Sequence, residues 1–388
     1  MMLRSFIPVG QGAFYLEQFE ICGERTNVVY DCGSLTDVKI VEKEIRANFG
    51  KGEKIDIVFI SHLDQDHING LEYLLKYCNV KNIVFPYTRK EDRITLNIDY
   101  FCNQENPSDD DFVYKFINNP YRALHEQESR ARLFGIKEYN SENNAYDNIY
   151  NNDDDDVRIL NSGENIFEDL IHNEISSKIK WEYVPFNFKE DIRKEQFFDE
   201  LDNNLNSLGC SLYQIGIDNL LKQWTNPDIQ KAIKDAYKKV SGSLNANSMV
   251  LFSGITDDTV YQRPINLYNR FICCNYKCLN YFNYLKQNGC LYTGDYEAKE
   301  ESKWLELKEA YSKYWDYIGC VQIPHHGSYK NYNPEFALLN AYFVISAGFE
   351  NRWRHPSGSV IKDLLLNYKY PLIVTEQHNS KVILEIDI

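Results

Sequence analysis

The sequence predicts a layered α/β protein, and three observations carry that prediction. Up to about residue 85, short apolar runs (FIPVGQG, NVVYDCG, IDIVFIS, then NIVFPY) alternate with turn signals and one helical period. Strand-like runs resume near the carboxyl end: SMVLFS, CLYTGD, CVQIPHH, AYFVISAG and YPLIVTE. Five of the eight histidines, His62, His67, His325, His326 and His355, follow such runs, and open α/β sheets gather ligand sites outside the carboxyl ends of their strands.

In chain order, FIPVGQG reads as a strand entering a hairpin turn, since its glycines lack a P-loop lysine or dinucleotide spacing. YDCG ends the next strand, with Asp31 expected to brace its loop. IDIVFI is a buried strand. The turn SHLDQDHING leads into a helix on which Ile68, Leu71, Leu74, Leu75 and Cys78 share a face. Asp66 then sits near the helix N-terminus, where a negative charge is favoured. Arg89, Lys90 and Arg93 after NIVFPY read equally as a phosphate contact or a solvated turn.

From 95 to 240 the chain turns rich in Asn and Asp, as in EYNSENNAYDNIYNNDDDD. We read 1–388 as one domain carrying 95–240 as an insertion, a cap or partner-binding region that could fold on a protein partner. The run Asp153 to Asp156 lacks the spaced ligands and turning glycine of a calcium loop and reads as solvated. Cys273, Cys274 and Cys278 have no second pair for a structural zinc, so most cysteines are expected to be buried thiols.

The net charge of −15 argues against a broad polyanion-binding surface. With neither a secretion-type leader nor an apolar run long enough for a bilayer, the expected location is cytoplasmic.

His62, Asp64, Asp66 and His67 fall within six positions. By composition, roughly 0.004 such spacings would arise by chance. Imidazole and carboxylate together suit zinc, manganese or iron. Ligands alternating along a tight loop at a strand end can converge on two adjacent ions. Asp295, in LYTGDYE, could bridge such a pair, and His325 or His326, in QIPHHGS, arrives from another strand end.

HLDQDH resembles the HxHxDH motif of the metallo-β-lactamase fold, with YTGD and PHHGS following in that family's order. VGQG, YDCG, NSMVLF and PHHGS are similar to the ComEC-type hydrolase domain in particular. The blocks lie in roughly the first 85 and last 145 residues. The resemblance implies an αββα sandwich with a large insertion and two divalent ions, zinc or manganese with magnesium as an option. His62 and Asp64 would hold the first ion, Asp66 and His67 the second, with Asp295 bridging and His325 completing the second set. His326 is the alternative to His325. Asp64 replaces the usual second histidine, and Asn245 stands near the place of a missing one.

The implied activity is cleavage of phosphodiesters, as a nuclease or nucleotide phosphodiesterase, by a hydroxide shared between the ions. Asp66 serves the reaction as a metal ligand. His326 or His355 would protonate the leaving oxygen, and Ser328, Lys330, Arg352, Arg354 and Asn245 would meet a nucleic acid or nucleotide substrate. Two other readings are an ester, thioester or lactam hydrolase and a catalytically idle metal-binding module in a multi-component defence system.

Overall fold

Strands and helices sort into four layers in the computed structural model, which describes residues 1–21, 23–89, 92–104, 106–139, 156–171, 179–188, 192–216, 219–240, 244, 248–257, 259–265 and 285–388. Among the described residues, one sheet has nine strands in the order β12 (Tyr261–Pro264), β17 (Val382–Asp387), β1 (Met2–Phe6), β2 (Phe14–Ile21), β3 (Glu24–Cys32), β5 (Ile57–Phe59), β7 (Asn82–Pro86), β8 (Arg132–Ile136), β9 (Val157–Leu160). The other has six in the order β10 (Glu182–Phe188), β11 (Ser248–Gly254), β13 (Gly289–Tyr292), β14 (Ile318–Gln322), β15 (Tyr342–Ser346), β16 (Leu372–Val374). A short ladder joins β4 (Lys54–Ile55) to β6 (Asn79–Val80).

Side-chain alternation fixes the stacking. Ile57 and Phe59 of β5 share the core between the sheets with Met249 and Leu251 of β11 and Tyr342 and Val344 of β15. Val58 and Ile60 point the other way, onto Val41 and Ile45 of helix Val38–Asn48 and Leu71 and Leu74 of helix Leu71–Tyr77. Val250, Phe252 and Phe343 pack against Trp304, Leu307, Val360 and Leu364, from the helices Glu301–Ala310 and Gly358–Leu366. The result is the αββα sandwich.

β3, β5 and β7 run parallel, as do β13, β14 and β15. Their carboxyl ends carry the motif segments.

The stretch 95–240 divides. β8, β9 and β10 lie within it and belong to the two core sheets. Its helices, among them Arg93–Asn103, Ile192–Asn206 and Pro227–Lys239, share one hydrophobic cluster with the outer face of the nine-stranded sheet. Helix Arg93–Asn103 is continued in the helical layer by the buried face Ile229, Ala232, Ile233 and Ala236 of helix Pro227–Lys239. Asn226 caps that helix by accepting from Asp228 N, and Pro227 occupies its first turn, where no backbone donor is needed. Asp153 to Asp155 and Cys273, Cys274 and Cys278 lie outside the described residues, and Asp156 is exposed. Among the described cysteines, Cys32, Cys78, Cys290 and Cys320 are buried and Cys102 and Cys210 half-buried, all free thiols.

One ion pair is sealed between the sheets. Arg4 Nε donates to Glu17 Oε1 at 2.8 Å, and the remaining guanidinium nitrogens reach the carbonyls of Asn288 and Ser253. Glu17 also accepts from Tyr292, Tyr183 and Ser253 hydroxyls at 2.9, 2.7 and 2.6 Å. Every lone pair is used, which is the condition for a buried charge to persist. Removing one partner strands the other, so Glu17→Ala is expected to cost about 3–5 kcal/mol in denaturant unfolding. A loss under about 1 kcal/mol, the range of exposed pairs, would contradict this account.

Candidate metal centre

The site begins at Asp31. This residue ends the regular part of β3 with φ 56, a left-handed conformation that turns its carboxylate toward the neighbouring strand. Asp31 Oδ1 accepts from Ser61 N at 2.7 Å, and Oδ2 accepts from Ser61 Oγ at 2.7 Å and from His67 Nδ1 at 2.7 Å. With its proton given to Asp31, Ser61 Oγ can accept from His62 Nδ1 at 2.9 Å. His326 Nδ1 donates to the Ser346 carbonyl at 2.8 Å. Each of these three histidines therefore has its Nδ1 proton committed, which leaves Nε2 as the lone-pair nitrogen.

Backbone must come close for this to work. A Cβ on Gly33 would lie 2.5 Å from the Asp66 carbonyl carbon and 2.6 Å from His67 N. Gly12 would meet the Gly33 carbonyl oxygen at 2.2 Å. The glycines of VGQG and YDCG thus let the β1–β2 and β3 ends close over the Asp66–His67 turn, where Ala13 N donates to Asp66 O at 3.0 Å.

The Nε2 atoms converge with two carboxylates. His62, His67 and Asp295 form one group, and Asp66, His67 and His326 another, with all donor atoms of each group within 4.8 Å of one another. Asp295 splits its oxygens: Oδ1 is 3.4 Å from His67 Nε2, and Oδ2 is 3.7 Å from His62 Nε2. Asp64 Oδ2 is 3.5 Å from His62 Nε2. His62 Nε2, His67 Nε2 and Asp295 Oδ1 are buried without a hydrogen-bond partner. Lone pairs massed in this way without donors fit cations, and the residue types suit a divalent metal.

Protonation points the same way. Burial and His67 push His62 down, but Asp64 and Asp295 outweigh them and its pKa lies above the usual value. His67 is also raised, well above its usual value: burial opposes this, and Asp31 and Asp295 overcome it. Burial would raise both Asp66 and Asp295, yet His326 and His67 hold Asp66 down at about 2, and His325, His67 and His62 hold Asp295 well below the carboxylate range. Either protons on the histidines or a metal ion at their Nε2 lone pairs would therefore balance these carboxylates.

The structure separates the two adjacent histidines. His325 and His326 have φ 47 and 53, two consecutive left-handed residues costing about 1–2 kcal/mol each. Their rings stand 88° apart with centroids 6.0 Å apart. His326 is buried, with Nε2 3.1 Å from Asp66 Oδ2. His325 instead faces the cleft, its side chain 38% exposed and Nδ1 3.4 Å from Asp295 Oδ2. The histidine beside Asp66 is therefore His326, which corrects the expected placement of His325 there: the double left-handed turn sends the second ring inward and the first outward.

The centre opens into a cleft of about 460 Å³ lined by His62, Asp64, Asp66, Asp295, His325 and His355 among others. Ser328, Lys330 and Arg352 also line it. Exposed Arg354 is not among the described lining residues, and Asn245 lies outside the described residues. His355 stands 5.5 Å from His325 between ring centroids. Burial, with His325 and His326 nearby, lowers its pKa to about 4, so it is neutral near pH 7. The far wall comes from Leu96, Asp99 and Tyr100 of helix Arg93–Asn103 and from Tyr237. Tyr237 OH donates to Asp99 Oδ1 at 2.8 Å, and Leu244 N donates to the same oxygen at 3.0 Å. Arg193 meets Glu297 at 2.5 Å, tying helix Ile192–Asn206 to the segment after Asp295. Sequence reasoning missed these wall residues, which have no motif. It also missed Ser61, although Ser61 stands immediately before His62.

Asp31→Ala should weaken zinc binding about 10–100-fold by calorimetry, as loss of a ligand-orienting partner does, with the fold retained by circular dichroism. Unchanged affinity would exclude the orienting role. Because His62 and His67 have raised pKa values, protons compete with metal to higher pH than at free imidazoles. Affinity should rise with pH through that range, with proton release on binding.

No curated protein sequence matches the chain. Among solved structures, unliganded yeast PDE1 is similar at 9% identity and a TM-score of 0.37, over 98% of this chain and 99% of that one. MEM-A1, a subclass B3 metallo-beta-lactamase isolated from a soil metagenome library, is similar at 10% identity and a TM-score of 0.21, over 61% of this chain and 92% of that one. Both likenesses are too low to bear on activity. Residues 11–95, which hold Asp31, Ser61 and the His62–His67 turn, match the model of the metallo-beta-lactamase superfamily.

Proposed function

We propose that the chain is a metal-dependent hydrolase of phosphodiester bonds. The observation that carries the reading is the pair of interlocking donor groups, with buried Nε2 and carboxylate atoms unpartnered, at the floor of a cleft that also holds Lys330 and Arg352. The similarity of VGQG, YDCG and PHHGS to the ComEC-type hydrolase domain supports the preference for phosphate. His62 and Asp64 would hold one divalent ion and Asp66, His67 and His326 a second, with Asp295 between them. The oxygen-rich first group suits manganese or magnesium as well as zinc. Ions held there supply Lewis acidity, offsetting charge on the phosphoryl oxygens and activating water.

The chain's own residues do the rest. Asp31 and the Ser346 carbonyl keep the Nδ1 protons of His67 and His326 in place, so the lone pairs stay aimed at the centre. Lys330 and Arg352 orient the phosphate. Ser328 is buried, its N donating to His325 O at 2.9 Å, and shapes the double-histidine turn. Proton delivery to the leaving oxygen falls to His325. His326 is committed to Asp66 and Ser346, and His355 is unprotonated near neutrality.

Metal-stripped protein reloaded with manganese or zinc should hydrolyse bis(4-nitrophenyl) phosphate, and the Asp66→Ala/His67→Ala double variant should not. A folded, metal-loaded wild type as inert as that variant would overturn the reading. His326→Ala should lose bound metal. His325→Ala should keep it and lose kcat by about 10²–10⁴-fold on a dinucleoside phosphate, whose alkoxide leaving group needs a proton, and much less on a nitrophenyl ester. Equal losses on both substrates would remove His325 from proton transfer.

A further inference from the structure

We propose that the cleft takes one nucleotide, free or at a single-stranded end, and that Trp353 is the platform on which its base stacks. This rests on the phosphodiester reading of the same site and names its substrate class. The cavity of about 460 Å³ is of the size that encloses a single small ligand, and the helices Arg93–Asn103 and Pro227–Lys239 contribute its far wall. A mononucleotide fits such a space and a double helix does not.

Trp353 lines this cavity and is 41% exposed. The Arg352 guanidinium carbon lies 4.3 Å from the centroid of its ring, a cation–π arrangement that restrains the indole. The segment bearing both residues is clasped from below. Asn351 Nδ2 donates to the Gly348 and His355 carbonyls at 2.8 and 2.6 Å, while Asn351 Oδ1 accepts from His355 N at 2.8 Å. A flat ring held in place at the margin of an aqueous cleft costs exposed apolar surface, which a stacking partner would remove from water. Tyr329, 56% exposed, and the adjacent Lys330 line the same cavity. Aromatic faces interleaved with cations beside a phosphate-directed centre form the arrangement that binds a base and its phosphate together. A simple ester or lactam would engage neither half.

The test compares thymidine 5′-(4-nitrophenyl phosphate) with methyl 4-nitrophenyl phosphate, which share a leaving group and differ by the nucleoside. With metal-loaded full chain, wild type should favour the thymidine ester through KM. Trp353→Ala should cut that preference roughly tenfold, and Trp353→Phe should restore most of it. A preference that is absent, or equal in wild type and Trp353→Ala, overturns the subsite while leaving phosphodiester hydrolysis standing. If neither ester is turned over, calorimetry with thymidine 5′-monophosphate and ribose 5-phosphate decides. Tighter nucleotide binding that Trp353→Ala abolishes keeps the subsite and sinks the hydrolytic reading, and equal binding of the two ligands sinks the subsite.

Discussion

Asp31 is the carboxylate on which the centre depends. It is fully buried, and its two oxygens accept from a backbone amide, a hydroxyl and an imidazole supplied by Ser61 and His67. Accepting from Nδ1 there fixes which nitrogen of His67 carries a proton and, through Ser61, favours the same tautomer at His62. The geometry needs a left-handed residue at 31 and glycine at 33, because the strand end must turn its carboxylate inward while its backbone touches that of Asp66 and His67. Strand ending, tautomer and ligand direction thus form one linked constraint.

The same economy holds on the opposite sheet. Ser248 Oγ accepts from Asp295 N at 3.1 Å and itself donates to Thr293 O at 3.2 Å, fixing the loop from which Asp295 spreads its oxygens toward two histidines. The double left-handed turn at His325 and His326 assigns one ring to the interior and the other to the cleft. Across the cleft, Asp99 ties helix Arg93–Asn103 to Tyr237 and to Leu244 N, so the wall facing the histidine and carboxylate cluster is anchored by a buried carboxylate.

Much of this was legible in the sequence, and the reasons differ by residue. The continuous apolar run IDIVFI and the helical period from Ile68 to Cys78 gave the strand, the turn and the helix, because a strand buried on both faces and a helix buried on one each leave a local imprint. The clustering of His62, Asp64, Asp66 and His67 marked the site, since such ligands are costly to bury without a cation. His325 and His326 could not be told apart, because the distinction is a backbone rotation that two identical side chains do not encode. The stretch 95–240 hid β8, β9 and β10 behind its Asn- and Asp-rich loops, and their membership in the core sheets depends on pairing with distant strands. Tyr237, Asp99 and Trp353 carry no motif and gain meaning only by position.

The central claim is that fixed Nδ1 protons aim the Nε2 atoms of His62, His67 and His326 at ions shared with Asp66 and Asp295. Anomalous diffraction from crystals of the zinc-loaded protein tests it most directly. The account predicts zinc peaks about 2.0–2.1 Å from those Nε2 atoms, one bounded by Asp66, His67 and His326 and the other on the His62 side, with Asp295 between them. Peaks on Nδ1 atoms, or zinc held by His325 in place of His326, would contradict it.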